Sequence, residues 1–225
     1  MPLQYKSIVP WGRSFDEYRR MFDLTAAELS LRILGCGDGP ASFNVECNQR
    51  GGDVISIDPL YRFSCDAIEK RITETYDEVM RQTRSNQDKF IWDAISSLED
   101  LERIRMEAMQ RFLVSYEDGR VQGLYVPGEL PELPFADQTF DLALSSHFLF
   151  LYTDNLTFDF HVSAILEMLR VAHEVRIFPL LDMNARESHY LNGVLESFQE
   201  YKPEIRRVNY EFQRGGNRML RIRNG

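Results

Sequence analysis

Cysteine is scarce in this chain: Cys36, Cys47 and Cys65 are the three thiols in 225 residues. They have neither the paired spacing of a zinc site nor the density of a disulfide framework, so free thiols in a reducing compartment are expected. Histidine is limited to four, and no His/Cys/carboxylate cluster has ligand spacing, so no metal is expected. Long apolar runs are missing too, which excludes a membrane span, and the first residues show no signal-peptide pattern. The expected location is cytoplasmic. Positive charge is also short, with 26 Lys and Arg against 35 Asp and Glu and a net charge of −9. That balance argues against a large phosphate-backbone ligand, which needs basic surface. What remains is ordinary folded-protein composition, 44% hydrophobic and 27% charged, enough for one α/β domain over residues 1–225.

The segment that organises the chain is Leu31-Arg32-Ile33-Leu34-Gly35-Cys36-Gly37-Asp38-Gly39-Pro40. An apolar run feeds glycines spaced G-x-G-x-G, and Pro40 suits the first position of a following helix. Strand, ligand-cradling loop and helix are predicted, because glycine permits sharp turns and leaves no β-carbon between backbone and ligand. The third glycine comes one residue too early for the dinucleotide fingerprint, and no phosphate-binding P-loop pattern is present. A second landmark, Val54-Ile55-Ser56-Ile57-Asp58, is a β-branched strand ending in an acid about 20 residues on, where such half-folds hold ribose hydroxyls. The plainer reading of Asp58 is a helix cap or part of a turn with Pro59; the upstream glycine loop favours the ribose role.

A third landmark completes a pattern. Gly128-Glu129-Leu130-Pro131-Glu132-Leu133-Pro134-Phe135, followed by Phe140-Asp141-Leu142-Ala143-Leu144, stands in order after the other two. Together the three resemble class I S-adenosylmethionine (SAM)-dependent methyltransferases over residues 31–60 and 126–181. Val175-Arg176-Ile177-Phe178-Pro179-Leu180-Leu181 and residues 210–217 are similar to segments of uncharacterised bacterial members. The resemblance implies a Rossmann-like α/β fold, a seven-stranded and mostly parallel sheet with an antiparallel last strand. It implies SAM as cofactor, held by Gly35, Cys36, Gly37, Asp38, Gly39, Asp58, Pro59, Glu129, Leu130 and Ser145. Asp58 would take the ribose, Glu129 the adenine amino group and the next backbone N–H a ring nitrogen. Glu129 stands where Asp is usual. Ile33 stands where the family's first motif has an acid, so no carboxylate there can help hold the methionyl end.

The remaining segments are elaborations. Residues 1–30 form a leading lid segment, with Ser14 and Glu17 as the capping box of a helix. Trp11 is a candidate lid residue for the acceptor, and Arg13 a candidate partner of the cofactor's carboxylate. Far more chain separates strand two from strand three than a crossover needs. Residues 61–123 are therefore a helical insertion, with helices over 65–84 and from Ser97 to about Gly119. It is an acceptor cap, a dimer interface or an enlarged core. Tyr61, Phe63 and Trp92 are candidates for an apolar acceptor wall. Strands over 208–212 and 219–222 are predicted to form a hairpin whose turn carries Arg214 toward an anionic acceptor. His147, at the carboxyl end of strand four, is the candidate catalytic base, since imidazole titrates near neutral pH. The expected activity is methyl transfer to a small-molecule acceptor, with no nucleic-acid or membrane partner indicated. The alternatives are an RNA or protein methyltransferase, or a non-catalytic SAM- or nucleotide-binding module.

Overall fold

The computed structural model describes residues 9–224. Its strands are β1 (Arg32–Cys36), β2 (Asp53–Asp58), β3 (Tyr125–Pro127), β4 (Phe140–Ser146), β5 (Ala172–Phe178), β6 (Glu204–Arg207) and β7 (Arg218–Arg223). The helices are α1 (Phe15–Met21), α2 (Phe43–Gln49), α3 (Cys65–Ser85), α4 (Leu98–Val121), α5 (Phe158–Val171) and α6 (Leu191–Ser197).

Period-two burial fixes the layers. In β1, Ile33 packs on one face of the sheet and Leu34 on the other, both fully buried. In β4, Leu142 and Leu144 join the side of Ile33, and Ala143 joins that of Leu34. Strands covered on both faces read as continuous apolar runs, which is the mark of a sheet sandwiched between helices. α1 and α2 cover the Ile33 face through Phe15, Tyr18 and Phe43; α5 and α6 cover the other through Ile165, Met168 and Leu191. The seven strands lie in the order β3-β2-β1-β4-β5-β7-β6, and β7 alone runs antiparallel to its neighbours. This is the Rossmann-like α/β architecture expected from the sequence.

The helical insertion is α3 and α4, placed between β2 and β3. Ser64 and Ser97 cap the two helices by accepting from the backbone N–H of Ala67 and Asp100. Both pack with Tyr61 and Tyr125 in a separate aromatic cluster, so the insertion has its own small core. No helix of the described residues is long and apolar enough to cross a membrane.

Three boundaries differ from expectation. α2 starts at Phe43, not Pro40, because the Ser42 N–H donates to the Arg13 carbonyl and ties that stretch to the leading segment. β5 follows α5 without a connecting residue and ends at Phe178, before Pro179. The strand expected over residues 208–212 is irregular, and β6 lies just before it. Its apolar side chains leave the ladder to pack elsewhere: Tyr210 bonds Glu17 of α1, and Phe212 stacks on Phe90 of the insertion at 4.8 Å.

Candidate functional site

At the carboxyl ends of β1, β2 and β4 the loops part around a cleft of about 780 Å³. Open α/β sheets bind ligands at this edge, beside the strand where the winding reverses. Here β1 is that strand, flanked by β2 and β4.

The loop after β1 is built for close approach. Gly37 and Gly39 have φ of +70° and +54°, a region that side chains resist. Beyond Gly39 an added β-carbon would meet nothing within 4 Å, so bare backbone faces open space. Gly37 N–H donates to the Ile57 carbonyl (2.9 Å), fastening the loop to β2. Asp58, at the tip of β2, accepts from Gly39 N–H (2.8 Å) and Leu60 N–H (2.7 Å). It therefore caps a short 3-10 turn and also holds the glycine loop against the cleft.

Asp38 turns inward rather than toward the cleft mouth. Its carboxylate accepts from Tyr18 Oη (2.7 Å) and Ser56 Oγ (2.6 Å) and lies over Gly35. An alanine β-carbon at Gly35 would come within 1.8 Å of that carboxylate. Gly35→Ala is thus expected to displace Asp38 and cost about 3 kcal/mol, the worth of one or two charge-assisted hydrogen bonds. Urea midpoints check this, and a variant as stable as the wild type would show that Asp38 is not fixed there.

Burial dominates the acids of this site. It raises both Asp38 and Asp58 to about 6, against the hydrogen bonds that favour their ionised forms. The carboxylate of Glu129, just past the end of the neighbouring strand β3, adds to the shift of Asp58. Glu129 itself is exposed and pairs with Arg62 at 3.2 Å.

On the opposite wall, His147 follows β4 with φ of +53°; its N–H donates to the Phe178 carbonyl (2.6 Å), and its Nδ1 lies 2.9 Å from Ser146 Oγ. Burial, then the charges of Arg13 and Arg105, push its pKa well below the usual range. That shift favours the neutral imidazole over the protonated one. Arg13 lines the same wall and donates from Nη1 to the Trp11 carbonyl (2.6 Å).

Of the residues singled out from sequence, Trp11, Arg13, Gly37, Asp38, Gly39, Asp58, Pro59, Phe63, Glu129, Leu130 and His147 line the cleft. Gly35, Cys36 and Ser145 do not; they lie within the strands, with Cys36 and Ser145 fully buried. Tyr61 is fully buried in the aromatic cluster and reaches the site indirectly, donating to the Gly39 carbonyl at 2.7 Å. Trp92 packs against Phe90 and Phe212 outside the cleft. Arg214 is exposed and does not line the cleft; it donates to the carbonyls of Asp88 and Phe90 and pins the loop to the insertion. Sequence reasoning missed Tyr18, Phe148, Tyr152 and Phe160, all of which line the cleft. Tyr18 was legible only as an apolar helix position, and nothing local marks the others. Among the described residues no three His, Cys, Asp or Glu side chains form a metal site.

No protein-family model matches the chain. A curated protein of Methanocaldococcus jannaschii, "Uncharacterized protein MJ0045", is 34% identical over 222 residues, 98% of either chain. Among solved structures, monomeric WbdD matches with a TM-score of 0.48 at 13% identity. That match covers 93% of this chain, which spans 40% of the WbdD chain. The magnesium protoporphyrin IX methyltransferase ChlM of Synechocystis PCC 6803, solved with bound SAM, matches with a TM-score of 0.44 at 12% identity, covering 93% of this chain and 91% of that one.

Proposed function

The chain belongs to the family of the Methanocaldococcus jannaschii protein MJ0045, and we propose that it works as a class I SAM-dependent methyltransferase on a small-molecule acceptor. The observation that carries this reading is the joining of the bare Gly37–Gly39 backbone to Asp58 at the sheet's carboxyl edge. Each oxygen of Asp58 already accepts one backbone N–H, and each keeps a further lone pair for a ribose hydroxyl. Glu129 faces the cleft where an adenine amino group would donate to it, with the Leu130 N–H beside it for a ring nitrogen. Arg13, which lines the cleft, is the cation assigned to the methionyl carboxylate. Gly35, Cys36 and Ser145 act from behind the wall by setting its shape.

SAM, when bound, would supply a methyl group on a sulfonium: the acceptor's lone pair would form the new carbon bond, the sulfur would keep the electrons of the broken one, and any proton on the acceptor would be released. The protein's share is alignment and exclusion of water. Neutral His147 accepts a hydrogen bond from the acceptor and orients it. Ile33 favours a second reading, a SAM-binding module without turnover. It sits wholly buried in the apolar layer beneath α1 and α2, where no acid helps place the methionyl end.

Calorimetric titration with SAM and its demethylated product tests the reading, and the absence of binding by both would refute it. The titration should depend on pH in a stated direction. Asp58 must be ionised to accept from two hydroxyls, so affinity is expected to fall as pH drops through about 6 and to level off above 7. Stability of the free protein moves the other way. Acids raised from near 3.8 in the unfolded chain to about 6 stabilise the fold below that window, and the contribution is lost as pH rises through it. A flat affinity between pH 5 and 7.5 would remove Asp58 from the cofactor.

A further inference from the structure

A second, smaller cavity of about 140 Å³ opens beside the cleft, beneath the helical insertion. Trp11, Arg13, His147 and Tyr152 line both spaces and form the neck between them. Its outer walls are apolar: Val79 of α3, Leu101 of α4, and the stacked rings of Phe90 and Phe212. Arg13 and Arg105 also line it, and among the described residues no carboxylate does.

The charge behind those walls does not balance. Glu17 is the carboxylate that faces both guanidiniums, and its oxygens are committed. One accepts from Arg105 Nη2 (2.7 Å) and Tyr210 Oη (2.6 Å), the other from Arg105 Nη1 (2.5 Å) and from the backbone and hydroxyl of Ser14. Among the described residues Arg13 is left with the Trp11 carbonyl, which carries no net charge. The Nε atoms of Arg13 and Arg105 are both buried without a hydrogen-bond partner among the described residues. A buried cation with an unused donor is costly unless something negative completes it. A methionyl group beside Arg13 would be a zwitterion and would add no net charge, so the excess would persist with cofactor bound. The sulfonium would add to it.

From this juxtaposition we propose that the side cavity is the acceptor pocket and that the acceptor is a small organic anion, a carboxylate whose apolar body is about one ring in size. The anion lies at the neck against Arg13 and Arg105, and the ring lies between Phe212, Phe90 and Leu101. The size follows from volume, since an apolar cavity of about 150 Å³ holds benzene. This rests on the methyltransferase reading and names the substrate class for the same site.

The test is calorimetry on the full chain, with benzoate and its neutral isostere benzamide, each titrated with and without saturating S-adenosylhomocysteine. Benzoate is expected to bind about tenfold or more tightly than benzamide, the discrimination that a charge-assisted hydrogen bond supplies. Leu101→Phe, which fills the cavity, should remove benzoate binding and leave S-adenosylhomocysteine affinity within about twofold. If that variant does not fold, Phe212→Ala on the loop side should weaken benzoate several-fold. Equal binding of the two probes, no benzoate binding, or benzoate binding indifferent to both wall variants would overturn the proposal. S-adenosylhomocysteine binding in the wild type reports separately: its failure sinks the methyltransferase reading, and its success without benzoate binding sinks the acceptor pocket alone.

Discussion

Arg105→Ala is expected to destabilise the protein by about 3–5 kcal/mol, the cost of stranding one member of a buried ion pair. Arg105 and Glu17 are 0% and 1% exposed, and they meet through two hydrogen bonds of 2.5 and 2.7 Å. Burial alone would raise the Glu17 pKa, but the charge and hydrogen bonds of Arg105 win and hold it well below the usual carboxylate range. Removing the guanidinium leaves a buried carboxylate with the Ser14 and Tyr210 donors and with Arg13 as its remaining cation. Domains are typically stable by about 5–15 kcal/mol, so such a loss brings the chain close to unfolding. Urea denaturation of the variant measures it, and a shift under about 1 kcal/mol would show that the pair is not closed in solution. The double variant Glu17→Met/Arg105→Met should recover a large part of the loss, because apolar residues of similar volume often replace a buried pair at little cost. Acid supplies a second check. A carboxylate whose folded pKa lies below its unfolded value near 4.5 stabilises the fold above that value, and the contribution is lost as pH falls. Acid unfolding should therefore be shallower in the double variant than in the wild type.

Asp58→Asn is the second large effect, and it should appear in ligand binding rather than in folding. Asparagine retains one acceptor oxygen and loses the charge, so it cannot serve Gly39 N–H, Leu60 N–H and two ribose hydroxyls as the carboxylate can. SAM affinity is expected to fall about 100-fold, the worth of one or two hydrogen bonds to a charged group. Stability of the free protein at pH 7 should change by about 1 kcal/mol or less, since burial already disfavours the ionised carboxyl and Asn removes that penalty while giving up one backbone bond. Calorimetry and thermal unfolding on the same sample separate the two effects. An unchanged SAM affinity would withdraw the ribose role, and a collapse in stability would make Asp58 a structural cap first.

What was legible in the sequence was local. The glycine loop, the acid one strand later and the apolar runs of β1, β2 and β4 each follow from residue type and spacing over a few positions. So do Ser14, Ser64 and Ser97 as caps. What was not legible depends on residues far apart in the chain. Glu17 reads as half of a capping box, which it is, and that local explanation hides its bonds to Arg105 and Tyr210. Residues 208–212 alternate like a strand because Val208 and Tyr210 pack on one side, against the α1 layer, while Phe212 packs against the insertion. Tyr61 and Trp92 have the composition of a pocket wall, but large aromatics fill cores as readily as clefts, and here they do the former. Asp38 reads as a loop residue facing ligand; it does line the cleft, and its bonds to Tyr18 and Ser56 were not legible locally.

The Glu17 node has an implication for how such a chain tolerates modular exchange. It fastens the leading helix, the inserted helical pair and the carboxyl-terminal loop at a single point. A chimaera that borrowed α3 and α4 from a relative lacking a cation at the place of Arg105 would isolate an anion two segments away. Grafts between relatives therefore have to carry the three pieces together or neutralise the acid first.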